Sequence, residues 1–357
     1  MRNVHEPEAS TPLRLVAPDG TRAGDVDVGL PEADLHALFR WMVIARRLDI
    51  ECVALAHEGE LITYPGFEGQ EAAQVGAAYA LDTDDIVFPT FRELAMALVR
   101  GVDPVAYLRY HRGTWHGAPY DPIVSGFAPI CVPTGTQLPH AVGWALGAKL
   151  DGVDAVALGC IGDGATSEGD FHEAANLAGV WNAPLVIFCQ NNRWAITTPL
   201  EEQTAGEIWA RAEGYGFPGV RVDGNDVLAV HHVTTAAIRR ARSGGGPTLI
   251  EAMTYRIGPH STNDDAGRYR DPREVERARE LDPIARYRTF LLNERIADEG
   301  FVIACEREAE LVAGQVREAI VATPAPSTDE LFASVYGDPP ATFEAHRSQV
   351  LGETGDA

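Results

Sequence analysis

Three apolar runs, AVALGCI (155–161), PLVIFCQ (184–190) and PTLIEAM (247–253), show almost no polar alternation. A strand with one face in water alternates, so such runs predict strands covered on both faces. A helical stretch starting near Glu168 separates the first run from the second, and another at 227–243 separates the second from the third. Strand, helix, strand, helix, strand with buried strands predicts an α/β fold, a parallel sheet flanked by helices.

Other segments fit around that centre. From Pro31, the residues Leu35, Leu38, Phe39, Met42 and Val43 recur at helical spacing, and a proline suits a first helical turn. EGQEAAQVGAAYAL predicts a second helix with small residues for close packing. DDIVFPTFRE reads as a short strand and a turn holding Arg92, and a helix is expected from Thr136 to about Leu150. The glycine- and proline-rich segment 112–135 is too long and too apolar for an ordinary linker, and such loops are usually functional when ordered. Residues 272–323 read as helical, and Pro324, Pro326, Pro339 and Pro340 break up the C-terminal tail. The expected organisation is an extended arm over 1–30, an α/β domain over 31–325 and a tail over 326–357.

Charge and cysteine usage narrow the partners. With 29 Lys and Arg against 52 Asp and Glu, the net charge of -23 opposes nucleic acid and anionic membrane surfaces. A small anion is still allowed, because one arginine or a helix N-terminus outweighs a distant, screened field. Five scattered cysteines without a CxxC pair read as thiols of a reducing compartment, mostly buried. No apolar run reaches 18 residues and the N-terminus lacks an apolar signal region, so a soluble cytoplasmic protein is expected. His57, His111, His116, His140 and His172 show no zinc spacing and read as structural or solvated.

The chemistry is concentrated where the first run ends, in GCIGDGATSEGDF (159–171). Glycine loops beyond parallel strands let phosphate reach the amides of the next helix. The spacing here is GxGxxxxG, neither the dinucleotide fingerprint nor a Walker loop. Asp163 would repel a phosphate unless a divalent cation joined them, and Mg²⁺ prefers hard oxygen ligands. The second run ends in QNNRWAIT, so Asn191 and Asn192 follow Asp163 by 28 and 29 residues, one βαβ unit away.

GDG followed about 26 residues later by NN is the thiamine diphosphate motif. The stretch GDGATSEGDFHEAANLAGVWNAPLVIFCQNNRWAIT closely resembles the α subunit of the E1 component of 2-oxo acid dehydrogenase complexes. FPTFRE, VPTGTQLPHAVG, RVDGNDVLAV and EAMTYRIGPHSTNDDAGRYR extend the likeness over roughly 30–340. It implies the thiamine diphosphate-binding fold, with Mg²⁺ held by Asp163, Asn192 and the carbonyl of Trp194. Gly164 and Ala165 would offer amides to the diphosphate, and Arg92 would pair with its oxygens. Phe91, Val132, Thr134 and Gln190 complete the implied lining. Phe91 stands where relatives often have tyrosine, Val132 replaces a serine, and Gln190 occupies an arginine position, which removes side-chain contacts to the diphosphate. His260 matches the histidine placed beside the diphosphate and the reacting centre, where it would stabilise or protonate reacting species.

The resemblance also implies an α2β2 heterotetramer, because the aminopyrimidine-binding domain has no room on this chain and belongs to a β subunit. The implied reaction is decarboxylation of a 2-oxo acid with acyl transfer to lipoylated E2. EAMTYRIGPHSTNDD is nearer branched-chain enzymes, with pyruvate as the alternative substrate and acetoin after it. A catalytically silent cofactor-binding partner is the competing class, which loss of Asp163, Asn192 or His260 would favour. A structural K⁺ site around Cys131, Pro133, Thr136 and Gln137 is implied too, with Cys131 replacing a serine. Ser261 lies where animal enzymes are phosphorylated, and Asp271 where a second such serine can occur.

Overall fold

The computed structural model describes residues 11–24, 29–114, 119–333 and 335–354. Residues 1–10 and 25–28 of the expected arm, 115–118 with His116, Ser334 and the end of the tail at 355–357 lie outside the described residues. The sheet uses β1 (Ile86–Phe88), β2 (Ala157–Gly162) and β3 (Leu185–Asn191). After a small hairpin of β4 (Trp194–Ala195) and β5 (Thr198–Pro199) come β6 (Gly219–Asp223) and β7 (Thr248–Met253). The five strands of the main sheet pair in parallel in the order β1-β2-β3-β7-β6.

Helices precede the first strand as α1 (Glu32–His57) and α2 (Glu71–Tyr79). Between β1 and β2 lie α3 (Leu94–Val99), α4 (Pro104–Arg112), α5 (Pro122–Ser125) and α6 (Gln137–Asp151). Then come α7 (Gly169–Trp181) before β3, α8 (Arg211–Gly214) before β6, and α9 (Val227–Arg240) before β7. The alternation missing from the strands appears in their packing. Val186 and Phe188 face a core built with α1, α2 and α9, while Leu185, Ile187 and Cys189 face one built with α6 and α7. Both faces being dry, hydrophobic burial favours apolar residues at every position.

The short edge strand β6 carries no apolar run and is an addition to the four strands that the sequence predicts, the three apolar runs and the short strand in DDIVFPTFRE. GVRVD is half-buried over its first three residues, and an edge strand needs no continuous apolar run. The arm lies beside it: Leu13 bridges Val222, and Leu13 N donates to Arg221 O at 3.0 Å. Asp226 fixes that arrangement. One carboxylate oxygen caps α9 through Leu228 N and Ala229 N, and the other accepts from Leu15 N and Val16 N at 2.6 Å.

The expected helical region 272–323 is three helices, α10 (Pro272–Arg279), α11 (Pro283–Asn293) and α12 (Glu299–Val321). Asp271, Asp282 and Asp298 cap them, so each break is an Asp-led restart. The tail is more ordered than its prolines suggest, with α13 (Thr328–Ala333) and α14 (Ala341–Thr354). Four cysteines are buried and Cys131 is half-buried. No helix among the described residues is long and apolar enough to cross a membrane.

One buried group gives the fold a pH signature. Asp49 on α1 accepts from Tyr64 Oη at 2.8 Å and Phe67 N at 3.1 Å. Burial, reinforced by nearby Glu71, pushes its carboxyl up to about 7. The folded state therefore keeps a proton that the unfolded chain releases near pH 4, so this stabilisation is lost as pH rises through about 7. The melting temperature should fall between pH 5 and 7.5, and Asp49→Asn should shrink that fall. An equal fall in the variant would contradict the assignment.

Candidate functional site

Parallel pairing brings the two motif ends together. Gly162 is in register with Gln190, so Asp163 and Asn192 lie just past adjacent strand ends. Asn192 N donates to Asp163 Oδ1 at 3.3 Å. The preceding Asn191 turns instead to β7, giving Nδ2 to Glu251 Oε1 at 2.7 Å. The choice between the two asparagines follows from the alternating directions of strand side chains.

Beyond these ends opens a cavity of about 540 Å³. Asp163, Gly164, Ala165, Gln190, Asn192 and Trp194 line it from the sheet side. Phe91, Arg92, Val132, Thr134 and His260 reach it from three loops. All eleven residues expected from the sequence thus border one space, of a size suited to a small ligand or cofactor. The rim is open and mixed, with Val132 45% and Ile196 54% exposed beside exposed Thr134 and Glu168.

The GDGATS turn is a short 3-10 helix, Gly164–Ser167. Its first internal bond runs from Thr166 N to Asp163 O, so the amides of Gly164 and Ala165 precede it. A side chain at Gly164 would meet Ala195 Cβ at 2.5 Å, so glycine is required for the β4 backbone to close over this turn. The next stretch is strained: Arg193 and Ile196 have φ of 71° and 56°, rare for non-glycine residues and costliest for a β-branched one.

Two buried arginines dominate the electrostatics. Arg92 donates Nη1 to Gly66 O and Nη2 to His260 O, the latter at 3.0 Å. Arg256, fully buried, donates to Trp194 O at 3.0 Å, Ile196 O at 2.7 Å and Tyr269 Oη at 3.2 Å. These hydrogen-bond partners are all neutral. Burial, then repulsion from Arg256, draws the Arg92 guanidinium down to about 10. Burial likewise lowers Arg256. Two buried cations without a carboxylate partner form a pocket that favours an anion.

His260 sits between them. Arg92 Nη2 is 3.2 Å and Arg256 Nη1 3.5 Å from its Nδ1. A guanidinium only donates, so Nδ1 is the acceptor and the ring proton belongs on Nε2. Burial and then the two arginines pull the imidazole down to about 3. His260 is therefore a neutral Nε2–H donor rather than the imidazolium that a proton-delivering role would start from. Phe91 packs edge-on against it at 5.9 Å between ring centroids.

Asp163 is the opposite pole. It is 2% exposed, and burial pushes its carboxyl up to about 6. No group of three His, Cys, Asp or Glu among the described residues could hold a metal. A cation at Asp163 would draw its other ligands from neutral oxygens and from a bound anion, the hard donor set suited to Mg²⁺.

Gln190 hydrogen-bonds Glu93 Oε1 at 2.7 Å, so its amide is engaged within the wall. At the segment expected to hold K⁺, Pro133 O already accepts from Cys131 Sγ and Thr136 N, both at 3.3 Å. Gln137 Oε1 nearby is buried without a partner. Among the histidines read as structural or solvated, His111 is buried, His172 is exposed, and neither borders the cavity.

Sequence reasoning assigns no role to Arg256, Glu93 or Gln70. Arg256 precedes His260 by four residues, but in an irregular loop that spacing fixes no face. Gln70 has no sequence signal: it directly precedes α2, and only the fold brings it to the cavity.

The dehydrogenase E1 component family model matches residues 39–329. The chain is 47% identical over 345 residues to the 3-methyl-2-oxobutanoate dehydrogenase subunit alpha of Mycobacterium tuberculosis, covering 96% of this chain and 94% of that one. It is 40% identical to the 2-oxoisovalerate dehydrogenase subunit alpha of Bacillus subtilis, covering 74% and 83%. The pyruvate dehydrogenase E1 component subunit alpha of Bacillus subtilis is 36% identical, with 88% and 85% covered. With the βαβ placement of Asp163 and Asn192, these matches show that the chain belongs to the dehydrogenase E1 component family, as an α subunit of the thiamine diphosphate-dependent 2-oxo acid dehydrogenases.

Proposed function

We propose that this chain is the α subunit of an E1 that oxidatively decarboxylates a branched-chain 2-oxo acid of the 3-methyl-2-oxobutanoate type and passes the acyl group to the lipoyl group of E2. The observation that carries the site reading is the pair of buried arginines facing a buried carboxylate across one cavity. That arrangement suits an anion bridged to Asp163 by a cation. The substrate reading rests on the higher identity to the branched-chain subunits than to the pyruvate ones.

Asp163, Asn192 and the Trp194 carbonyl would hold Mg²⁺, and the amides of Gly164 and Ala165 with Arg92 would hold the diphosphate. When bound, thiamine diphosphate supplies a nucleophilic carbon and an electron sink for the loss of CO₂. His260 donates from Nε2 to an oxygen that becomes negative at the reacting centre, while Arg92 keeps that tautomer in place. Phe91 and Val132 offer apolar contact only. The half-open rim at Val132 and Ile196 suits closure by a β subunit that carries the aminopyrimidine side, as an α2β2 assembly. For K⁺, the segment 131–137 would offer Gln137 Oε1, a buried side-chain acceptor without a partner.

With β, E2 and E3 present, NADH formation should show kcat/KM higher for 3-methyl-2-oxobutanoate than for pyruvate by at least the roughly 10–200-fold that a single methylene provides in an apolar pocket. A preference for pyruvate would move the chain to the second reading, which the 36% match and its pyruvate-named relatives favour.

A further inference from the structure

Two glutamines hydrogen-bond the two side chains assigned to the metal. Gln203, from the segment after β5, donates Nε2 to Asp163 Oδ2 at 3.2 Å and to Thr198 O at 3.1 Å. Both partners accept only, so its NH₂ must face them and the amide orientation is determined. On the other side Gln70 Oε1 accepts from Asn192 Nδ2 at 3.3 Å. Asn192 Oδ1 in turn accepts from Trp194 N at 3.2 Å, so its nitrogen belongs toward Gln70 and its oxygen toward Trp194.

The two contacts act on one geometric quantity. Asp163 is held through Oδ1 by Asn192 N and through Oδ2 by Gln203, which fixes the carboxylate plane. Gln70, 1% exposed, keeps Asn192 from turning its NH₂ toward the site, where it would repel a cation. Gln203 is itself anchored. Arg211 donates to Thr204 Oγ1 at 2.6 Å and to Thr166 O at 2.8 Å, joining the segment after β5 to the GDGATS turn. Gln70 Nε2 is buried without a partner and borders the cavity, so a donor also faces the space an anion would enter.

We infer that Gln70 and Gln203 are positioning residues that orient Asn192 and Asp163 for a divalent cation, and so set the metal affinity of the site. The inference rests on the proposed Mg²⁺ and diphosphate reading of the cavity. Groups that orient metal ligands typically carry 10–100-fold in affinity.

The test uses the complex with its β subunit, titrated with Mn²⁺ as an electron paramagnetic resonance probe in the presence of thiamine diphosphate. Gln203→Met and Gln70→Met keep side-chain length and remove the amide. Each should weaken Mn²⁺ binding about 10–100-fold, with the thermal midpoint of the metal-free complex within a few degrees of the native one. Wild-type Mn²⁺ affinity in either variant overturns the inference. So does a loss of Mn²⁺ that tracks unfolding of the metal-free complex, with Gln203→Ala and Gln70→Ala as second variants deciding whether the loss precedes unfolding. If the native complex itself binds the cofactor with no divalent requirement, the underlying metal reading fails instead, which Asp163→Ala identifies by behaving like the native protein.

Discussion

Asp163→Ala should abolish Mg²⁺-dependent binding of thiamine diphosphate to the α/β complex, a loss of at least about a hundredfold, because changes behind a metal ligand already cost ~10–100-fold. The same position should give an effect of opposite sign without ligand. Its carboxyl is pushed up to about 6 by burial, so above that pH the metal-free protein carries a buried charge that the hydrogen bonds from Asn192 N and Gln203 Nε2 compensate only in part. Asp163→Asn should therefore raise the melting temperature of the metal-free complex at pH 8 while lowering the gain on adding Mg²⁺ and cofactor. Calorimetry and thermal melts read the two arms separately. Unchanged cofactor affinity in the alanine variant would remove the metal assignment, and a lower metal-free melting temperature in the asparagine variant would remove the burial argument.

His260→Ala should lower kcat by about 10²–10⁴, the usual contribution of a positioned acid–base or donor group, with cofactor affinity kept within about threefold. The distinction comes from geometry. The ring engages Arg92 and Arg256 through Nδ1, leaving Nε2–H for chemistry, whereas Arg92 keeps Gly66 O and His260 O as its own anchors. With the imidazole at about 3, the ligand-free ring does not gain a proton anywhere in the working range. The kcat profile should then show no step from this residue between pH 5 and 8 unless the bound anion raises it. A cofactor affinity that falls in parallel with kcat would make His260 a diphosphate ligand and nothing more.

Much of the site is legible in the sequence because it depends on local patterns. AVALGCI and PLVIFCQ end where the apolar core gives way to buried polar groups, and Asp163 and Asn192, just past those ends, converge for any right-handed βαβ unit. FPTFRE and RIGPHS are legible only through resemblance, since nothing in their own periodicity directs Arg92 and His260 to the same cavity. GVRVD is hidden because a half-buried edge strand lacks the apolar run that marks its neighbours. The order of the tail is hidden for a related reason: its four prolines fall at 324, 326, 339 and 340, outside α13 and α14 rather than within them.

The sequence by itself determined the order of the three buried strands and the helices between them, the two strand ends that meet, and the residue types available there. Those follow from hydrophobic burial and glycine chemistry, which act over a few residues. Only the tertiary structure decided that Asn191 turns away to Glu251, that Gln70 and Gln203 hydrogen-bond the side chains of Asn192 and Asp163, and that His260 is a neutral Nε2–H donor. Each depends on which groups from distant segments exclude water around it, because desolvation and hydrogen-bond direction belong to the packed environment and not to the residue.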